Sequence, residues 1–152
     1  MMEPIKRILL AEDDENDVEL TLEALAAHHL SNEVMVVNDG AEALDYLHRQ
    51  GKYRLRSNGD PVVVLLDLKM PKVDGMEVLR RMKSDPTLKI IPVVILTSSR
   101  EERDIIEGYE LGVNAYVVKP VDFDQFIEAV KELGLFWVLI NEPPLGSVQK
   151  VP

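Results

Sequence analysis

Five polar residues that suit phosphoryl chemistry each follow a short apolar segment of this chain: Glu12, Asp13, Asp67, Thr97 and Lys119. Clustered carboxylates raise one another's pKa unless a cation neutralises them, and hard oxygen ligands with open water positions suit Mg²⁺. A lysine and a hydroxyl beside such a cation would bind and neutralise a phosphoryl group. Because carboxylates accept phosphoryl groups by nucleophilic attack, these residue types predict phosphoryl transfer to one carboxylate.

Asp67 is the candidate acceptor. It ends the apolar run at residues 61–66, which is typical of a strand buried on both faces. Aspartate is depleted in strands and costly to bury alone, so it requires a cation or hydrogen-bond donors. Lys69 and Pro71 follow rather than a helix, which argues against a mere helix cap at Asp67.

Strand and helix patterns alternate five times along the chain. Strands are predicted at residues 5–11, 33–37, 61–67, 90–96 and 115–118. Helices are predicted from a cap at Asp14, Asn16 or Asp17, then at residues 41–50, 74–84 and 101–111, and from an Asp122 cap to residue 133. This alternation predicts a parallel sheet with helices on both faces. Ligands bind such sheets outside the carboxyl ends of the strands, where the five polar residues stand.

Two segments fall outside this pattern. Residues 51–60 are polar, basic and glycine-containing, and we expect a loop with no packed core. Residues 134–152 form a C-terminal extension to a domain at residues 1–133. Its apolar part at residues 136–140 either folds back on the domain or buries against a second chain, with Trp137 as an interface anchor.

The composition excludes several classes of function. A net charge of −10 argues against binding a phosphate backbone, so no nucleic acid partner is expected. Apolar runs fall far short of the roughly 20 residues that a membrane span needs, and no signal peptide pattern is present. The absence of cysteine fits a reducing compartment, and we expect a cytoplasmic protein.

These motifs resemble the receiver domain of two-component response regulators, over about residues 5–133. The resemblance rests on Glu12-Asp13, on Asp67 before Met70-Pro71 and Asp74-Gly75, on Thr97-Ser98 and on Lys119-Pro120. It implies a flavodoxin-like α/β fold, a doubly wound five-stranded parallel sheet in the order 2-1-3-4-5 with five helices. The loop at residues 51–60 and the segment at residues 136–144 resemble the small stand-alone regulators partnered with bacterial phytochromes.

The resemblance assigns the metal and acceptor roles. Asp67 would accept phosphate from a phosphohistidine of a sensor histidine kinase. Asp13 and Asp67 would bind Mg²⁺ directly, together with the backbone carbonyl of Lys69, and Glu12 would act through water. Mn²⁺ or Ca²⁺ would substitute for Mg²⁺.

The resemblance also assigns a switch. Lys119 would pair with Asp67 and then with the phosphoryl oxygen, and the Lys119–Pro120 bond would be cis. Thr97 would move to bond the phosphoryl group, and Tyr116 would turn inward behind it. A homodimer would form either through the extension or through a surface around Tyr109, Leu111 and Tyr116.

The preferred function is therefore a phosphorylation switch that catalyses only its own phosphorylation and dephosphorylation. The extension is too short for a DNA-binding domain, so output is expected through protein contacts, dimerisation or relay to a histidine phosphotransfer protein. The alternative is a Mg²⁺-dependent phosphatase with an aspartyl-phosphate intermediate, but Lys69 stands where such enzymes carry a second acid. A flavin carrier would need a phosphate loop after the first strand, where Glu12 and Asp13 would repel phosphate.

Overall fold

The computed structural model describes residues 6–27, 29–97, 109–135 and 139. Its centre is a five-stranded parallel sheet, as the alternation of strands and helices predicted, in the order β2-β1-β3-β4-β5 that the family resemblance implied. The strands are β1 Ile8–Ala11, β2 Val34–Val37, β3 Val63–Asp67, β4 Val93–Thr97 and β5 Ala115–Val118. The three central strands, β1, β3 and β4, are buried along their whole length, because helices cover both faces of the sheet.

Four α-helices have both ends within the described residues: α1 Glu15–Ala26, α2 Gly40–His48, α3 Gly75–Ser84 and α4 Phe123–Glu132. Each is capped by an aspartate whose side chain accepts a backbone N–H three residues later. The caps are Asp14, Asp39, Asp74 and Asp122. Of the candidate caps for α1, Asp14, Asn16 and Asp17, the structure shows Asp14, which has the extended backbone that a cap requires and accepts from the Asp17 N–H.

One predicted helix is described only at its end, and one predicted strand is shorter than expected. The expected helix at residues 101–111 lies mostly outside the described residues, although Tyr109 and Glu110 are helical and Gly112 follows with φ +87°. The fourth strand begins at Val93 rather than at residue 90. Asp85 accepts two backbone N–H groups and starts a turn that continues to Ile91, so the residues before 93 are not free to pair.

The segment at residues 51–60 is not the unpacked loop that its composition predicted. Its Arg56 is only 7% exposed, and the guanidinium stacks 4.0 Å from the centre of the Tyr46 ring. Tyr46 in turn packs edge-on against Tyr53, with 5.1 Å between ring centres. Aromatic rings and the aliphatic stem of an arginine bury apolar area. Tyr46 belongs to the apolar cluster on the sheet face covered by α2 and α3, and Tyr53 packs against it, so this basic segment extends that core.

The described part of the extension contacts its own domain. Leu139 is 1% exposed and belongs to the apolar cluster on the sheet face covered by α1 and α4. Its N–H donates to the Leu135 carbonyl at 3.0 Å, and its carbonyl lies 3.5 Å from Nη2 of Arg7. The chain therefore folds back at this position, while Trp137 lies outside the described residues. No described helix is both long and apolar enough to cross a membrane.

Candidate phosphoryl and metal site

Three carboxylates meet at the carboxyl edge of the sheet, as predicted. Glu12 and Asp13 follow β1, and Asp67 ends the neighbouring strand β3. One oxygen from each of the three lies within 4.8 Å of the others. Glu12 and Asp67 are buried, whereas Asp13 is exposed, so the group is open to solvent on one side. This combination suits a cation that keeps some of its water ligands.

The acids line a polar cleft of about 200 Å³. Lys69, the predicted source of a carbonyl ligand, and Thr97 line the same cleft. The position of Asp67 depends on Gly75, because a Cβ at this position would lie 2.2 Å from the Asp67 carbonyl oxygen. The Gly75 N–H also donates to the Leu68 carbonyl at 2.9 Å. The glycine after the Asp74 cap thus lets α3 approach the end of β3 closely.

Lys119 brings its ammonium into the centre of the site, as predicted. Its Nζ lies 3.3 Å from Oδ1 of Asp67, 2.8 Å from Oε1 of Glu12 and 2.9 Å from Oδ2 of Asp17. The Lys119–Pro120 bond is cis, as expected.

Asp17 was missed by the sequence analysis, which considered it only as a helix cap. Acidic residues are common in the first turn of a helix, so the position of Asp17 alone gave no signal of a role at the site.

Burial and charge set the protonation of these groups. Burial is the largest cause that raises the pKa of Glu12, to about 7, and the charge of Asp67 adds to it. Burial likewise raises the pKa of Asp67, with a contribution from Asp13. Burial alone would lower the pKa of Lys119, but its hydrogen bonds to Glu12 and Asp17 reverse this and raise it, so the ammonium stays charged. The five acids that line the cleft therefore outnumber its two lysines, Lys69 and Lys119, which favours binding of a further cation.

The two predicted switch residues lie on neighbouring strands. Thr97 is buried at the end of β4, where its carbonyl accepts the Lys119 N–H at 2.8 Å. Tyr116 on β5 is 41% exposed, and its ring packs edge-on against Tyr109 with 5.9 Å between ring centres. The structure thus shows Tyr116 in an outward position, and its inward rotation stays a prediction.

Comparison with known proteins gives matches along nearly the whole chain. The response regulator receiver domain family matches residues 8–131. Response regulator Rcp1 of Synechocystis sp. is 41% identical over 135 residues, which cover 89% of this chain and 90% of Rcp1. The Mn(2+)-bound structure of Rcp1 aligns with a TM-score of 0.71 at 36% identity, over 95% of this chain and 100% of that one.

Two solved phytochrome response regulators are also similar. The bacteriophytochrome response regulator RtBRR has 62% identity and a TM-score of 0.82, over 94% of this chain and 86% of its own. The phosphorylated cyanobacterial phytochrome response regulator RcpA has 44% identity and a TM-score of 0.73, over 93% of this chain and 99% of its own. Together with the strand order and the acidic cleft, these matches show that the chain belongs to the response regulator receiver domain family.

Proposed function

We propose that this protein is a phosphorylation switch in which Asp67 accepts a phosphoryl group from a sensor histidine kinase. The observation that carries the proposal is the placement of Asp67 between two acids and an ammonium. Its carboxylate belongs to the group with Glu12 and Asp13, and it lies 3.3 Å from the Lys119 Nζ. A nucleophile, candidate metal ligands and a fixed positive charge thus meet in one cleft.

The transfer reaction needs positioning and charge neutralisation. A carboxylate oxygen of Asp67 attacks phosphorus, an acyl phosphate bond forms, and the P–N bond of the phosphohistidine breaks. The electron pair leaves with the kinase imidazole. Lys119 neutralises charge on the phosphoryl oxygens, and the hydroxyl of Thr97 donates a hydrogen bond to one of them.

The same residues fit a divalent cation. Asp13 and Asp67 would bind it directly with the Lys69 carbonyl, and buried Glu12 would hold one of its water ligands. When bound, the ion neutralises charge that develops on the phosphoryl oxygens. An oxygen-only ligand set favours Mg²⁺, with Mn²⁺ or Ca²⁺ as substitutes, and the Mn(2+)-bound form of similar Rcp1 supports a divalent ion.

The output would be a change in the balance between two arrangements of β4 and β5. Thr97 ends β4 and Lys119 follows β5, so a phosphoryl group held by both favours the arrangement that brings them together. Tyr116 would then leave Tyr109 and turn inward, which changes the exposed surface of β5. Partners that bind one surface better than the other would sense phosphorylation.

We propose a bacterial phytochrome as the kinase, because RtBRR and RcpA are described as phytochrome response regulators. The kinase draws on ATP, which places the exchange in the cytoplasm. We propose two contacts for output. One is a homodimer, formed through the extension or through the Tyr109 and Tyr116 surface, and the other is a histidine phosphotransfer protein. No turnover phosphatase is proposed, because Lys69 holds the position of the second acid and the family match supports the switch.

The acceptor is tested with acetyl phosphate, Mg²⁺ and intact-protein mass spectrometry. We expect the mass of one phosphoryl group on the wild type, labile in base, and none on Asp67→Asn. Asp124→Asn is the matched control, because Asp124 is an exposed acid on α4 away from the cleft. Retained labelling of Asp67→Asn would refute the assignment, and so would an unlabelled wild type that is folded and has Mg²⁺.

The partner is tested with a purified phytochrome histidine kinase that has been autophosphorylated with radiolabelled ATP. We expect transfer of label to the wild type within the dead time of mixing by hand, and no transfer to Asp67→Asn. Light scattering before and after phosphorylation measures the mass in solution. Labelling by acetyl phosphate without transfer from phytochrome kinases would reject the phytochrome link, and an unchanged monomer mass would reject the dimer.

A further inference from the structure

Lys119 has a third acidic contact that phosphoryl transfer does not use. An ammonium has three N–H donors, and Lys119 has three carboxylates around it. The two shortest distances go to Glu12, at 2.8 Å, and to Asp17, at 2.9 Å, while Asp67 is 3.3 Å away. The lysine is therefore held more closely by the acids of the β1–α1 side than by the acceptor.

A phosphoryl group on Asp67 would compete for the same donors. Because all three N–H groups already face carboxylates, a phosphoryl oxygen gains Lys119 only when one of these contacts weakens. The side chain of Asp17 is 29% exposed, against 0% for Glu12 and 8% for Asp67. Water can replace the lysine on Asp17 at the lowest desolvation cost, so Asp17 is the contact that gives way.

We propose that Asp17 is a positioning residue that holds the Lys119 ammonium toward α1 and thereby lowers the affinity of the site for a phosphoryl group. This inference rests on the proposed function of Asp67 as acceptor. Asp17 touches neither the acceptor nor the phosphoryl group and acts through Lys119. It sets how much of the protein is phosphorylated at a given phosphoryl supply.

Two physical effects give the same direction. Removing the Asp17 charge frees one N–H of Lys119 before phosphorylation. The lysine then binds the phosphoryl oxygen without giving up a charged partner, so it binds more strongly. It also removes one negative charge from a cleft that must receive a dianion. Both effects favour the phosphorylated state, and a partly exposed ion pair corresponds to a change in binding constant of about two- to fivefold.

The test measures binding of beryllofluoride, a phosphoryl analogue, at saturating Mg²⁺. We expect Asp17→Asn and Asp17→Ala to bind it about two- to fivefold more tightly than the wild type does. Asp17→Glu keeps the carboxylate and should bind it as the wild type does. The equilibrium constant for phosphotransfer from a labelled kinase should shift toward the regulator by the same factor.

The matched control is Asp14→Asn. Asp14 lines the same cleft and carries the same charge, and asparagine is an equally good N-cap for α1. Equal tightening in Asp14→Asn would mean that only the net charge of the cleft matters, which would overturn the positioning role. Unchanged or weaker binding by Asp17→Asn would also overturn it. A wild type that neither binds beryllofluoride nor becomes phosphorylated by acetyl phosphate would instead reject Asp67 as the acceptor.

Discussion

Replacement of Arg56 by alanine should destabilise the fold, although Arg56 does not line the acidic cleft. Its Nε donates to the Tyr46 carbonyl at 3.0 Å, and its Nη1 donates to the Asn58 and Gly59 carbonyls at 3.0 Å. Its Nη2 lies 3.6 Å from Oδ1 of Asp60, too far for a hydrogen bond, and adds little.

The magnitude follows from these contacts. Hydrogen bonds to charged groups contribute roughly 1.5–3 kcal/mol each, and a desolvated cation–π contact about 2 kcal/mol. Returning the guanidinium to water in the unfolded chain offsets several kcal/mol of this sum. The freed Asn58 and Gly59 carbonyls lie in a partly exposed segment and regain water, and the buried Tyr46 carbonyl keeps the Arg49 N–H as a donor. We therefore expect a net loss of about 2–4 kcal/mol in the free energy of unfolding and a Tm lower by about 10 °C.

The assay is urea denaturation followed by circular dichroism, with Arg54→Ala as the matched control. Arg54 is exposed, and the contact found for its side chain is a 3.4 Å bond to the Gly51 carbonyl, so its removal should cost less than about 0.5 kcal/mol. Arg56→Lys should recover only part of the loss, because an ammonium cannot form the planar fork. If Arg56→Ala is as stable as Arg54→Ala, the segment has no packed core and our reasoning is wrong.

Two further predictions concern the extension and the cleft. Leu139→Ala should lower the free energy of unfolding by about 2–4 kcal/mol, because Leu139 is buried. The control Leu20→Ala changes a side chain that is 44% exposed and should cost less than about 1 kcal/mol. Equal losses in urea denaturation would refute the packing of the extension onto its own domain. The raised pKa of Glu12, about 7, favours its protonated form in the fold. Its contribution to stability is thus complete below pH 4.5 and is lost as pH rises through about 7. With a chelator present, the Tm of Glu12→Gln should fall less from pH 5 to pH 8 than the Tm of the wild type. Addition of Mg²⁺ should restore the Tm of the wild type at pH 8. Parallel profiles of Tm against pH for the two proteins would contradict this.

The strands could be predicted from their short apolar runs, and the central acids could be predicted because they break a local rule. A carboxylate at the end of an apolar run, as at Asp67, is expensive unless something binds it, so its presence indicates a site. The same reasoning placed Lys119 and Thr97 at the carboxyl edge of the sheet. Parallel pairing then brings these ends together whatever the intervening helices contain.

Asp17 and Arg56 could not be predicted because they obey local rules. An aspartate in the first turn of a helix is common, because its negative charge is stabilised by the positive end of the helix dipole. Nothing in the sequence therefore indicates that Asp17 reaches Lys119, which lies 102 positions away. An arginine among Lys52, Arg54 and Gly59 is typical of a solvated loop. The burial of Arg56 depends on Tyr46 of the preceding helix α2. This contact forms only because the chain turns back onto α2, which the sequence pattern does not show.

The segment built around Arg56 enters β3 at its first residues, at the opposite edge of the sheet from the cleft. Four steps of about 3.3 Å separate Val63 from Asp67, so roughly 13 Å of buried strand stands between the two. Insertions or exchanges in this segment therefore leave the chemistry untouched as long as the strand keeps its register. This edge is a natural junction for chimeras, in which a segment from one regulator is grafted onto the catalytic edge of another.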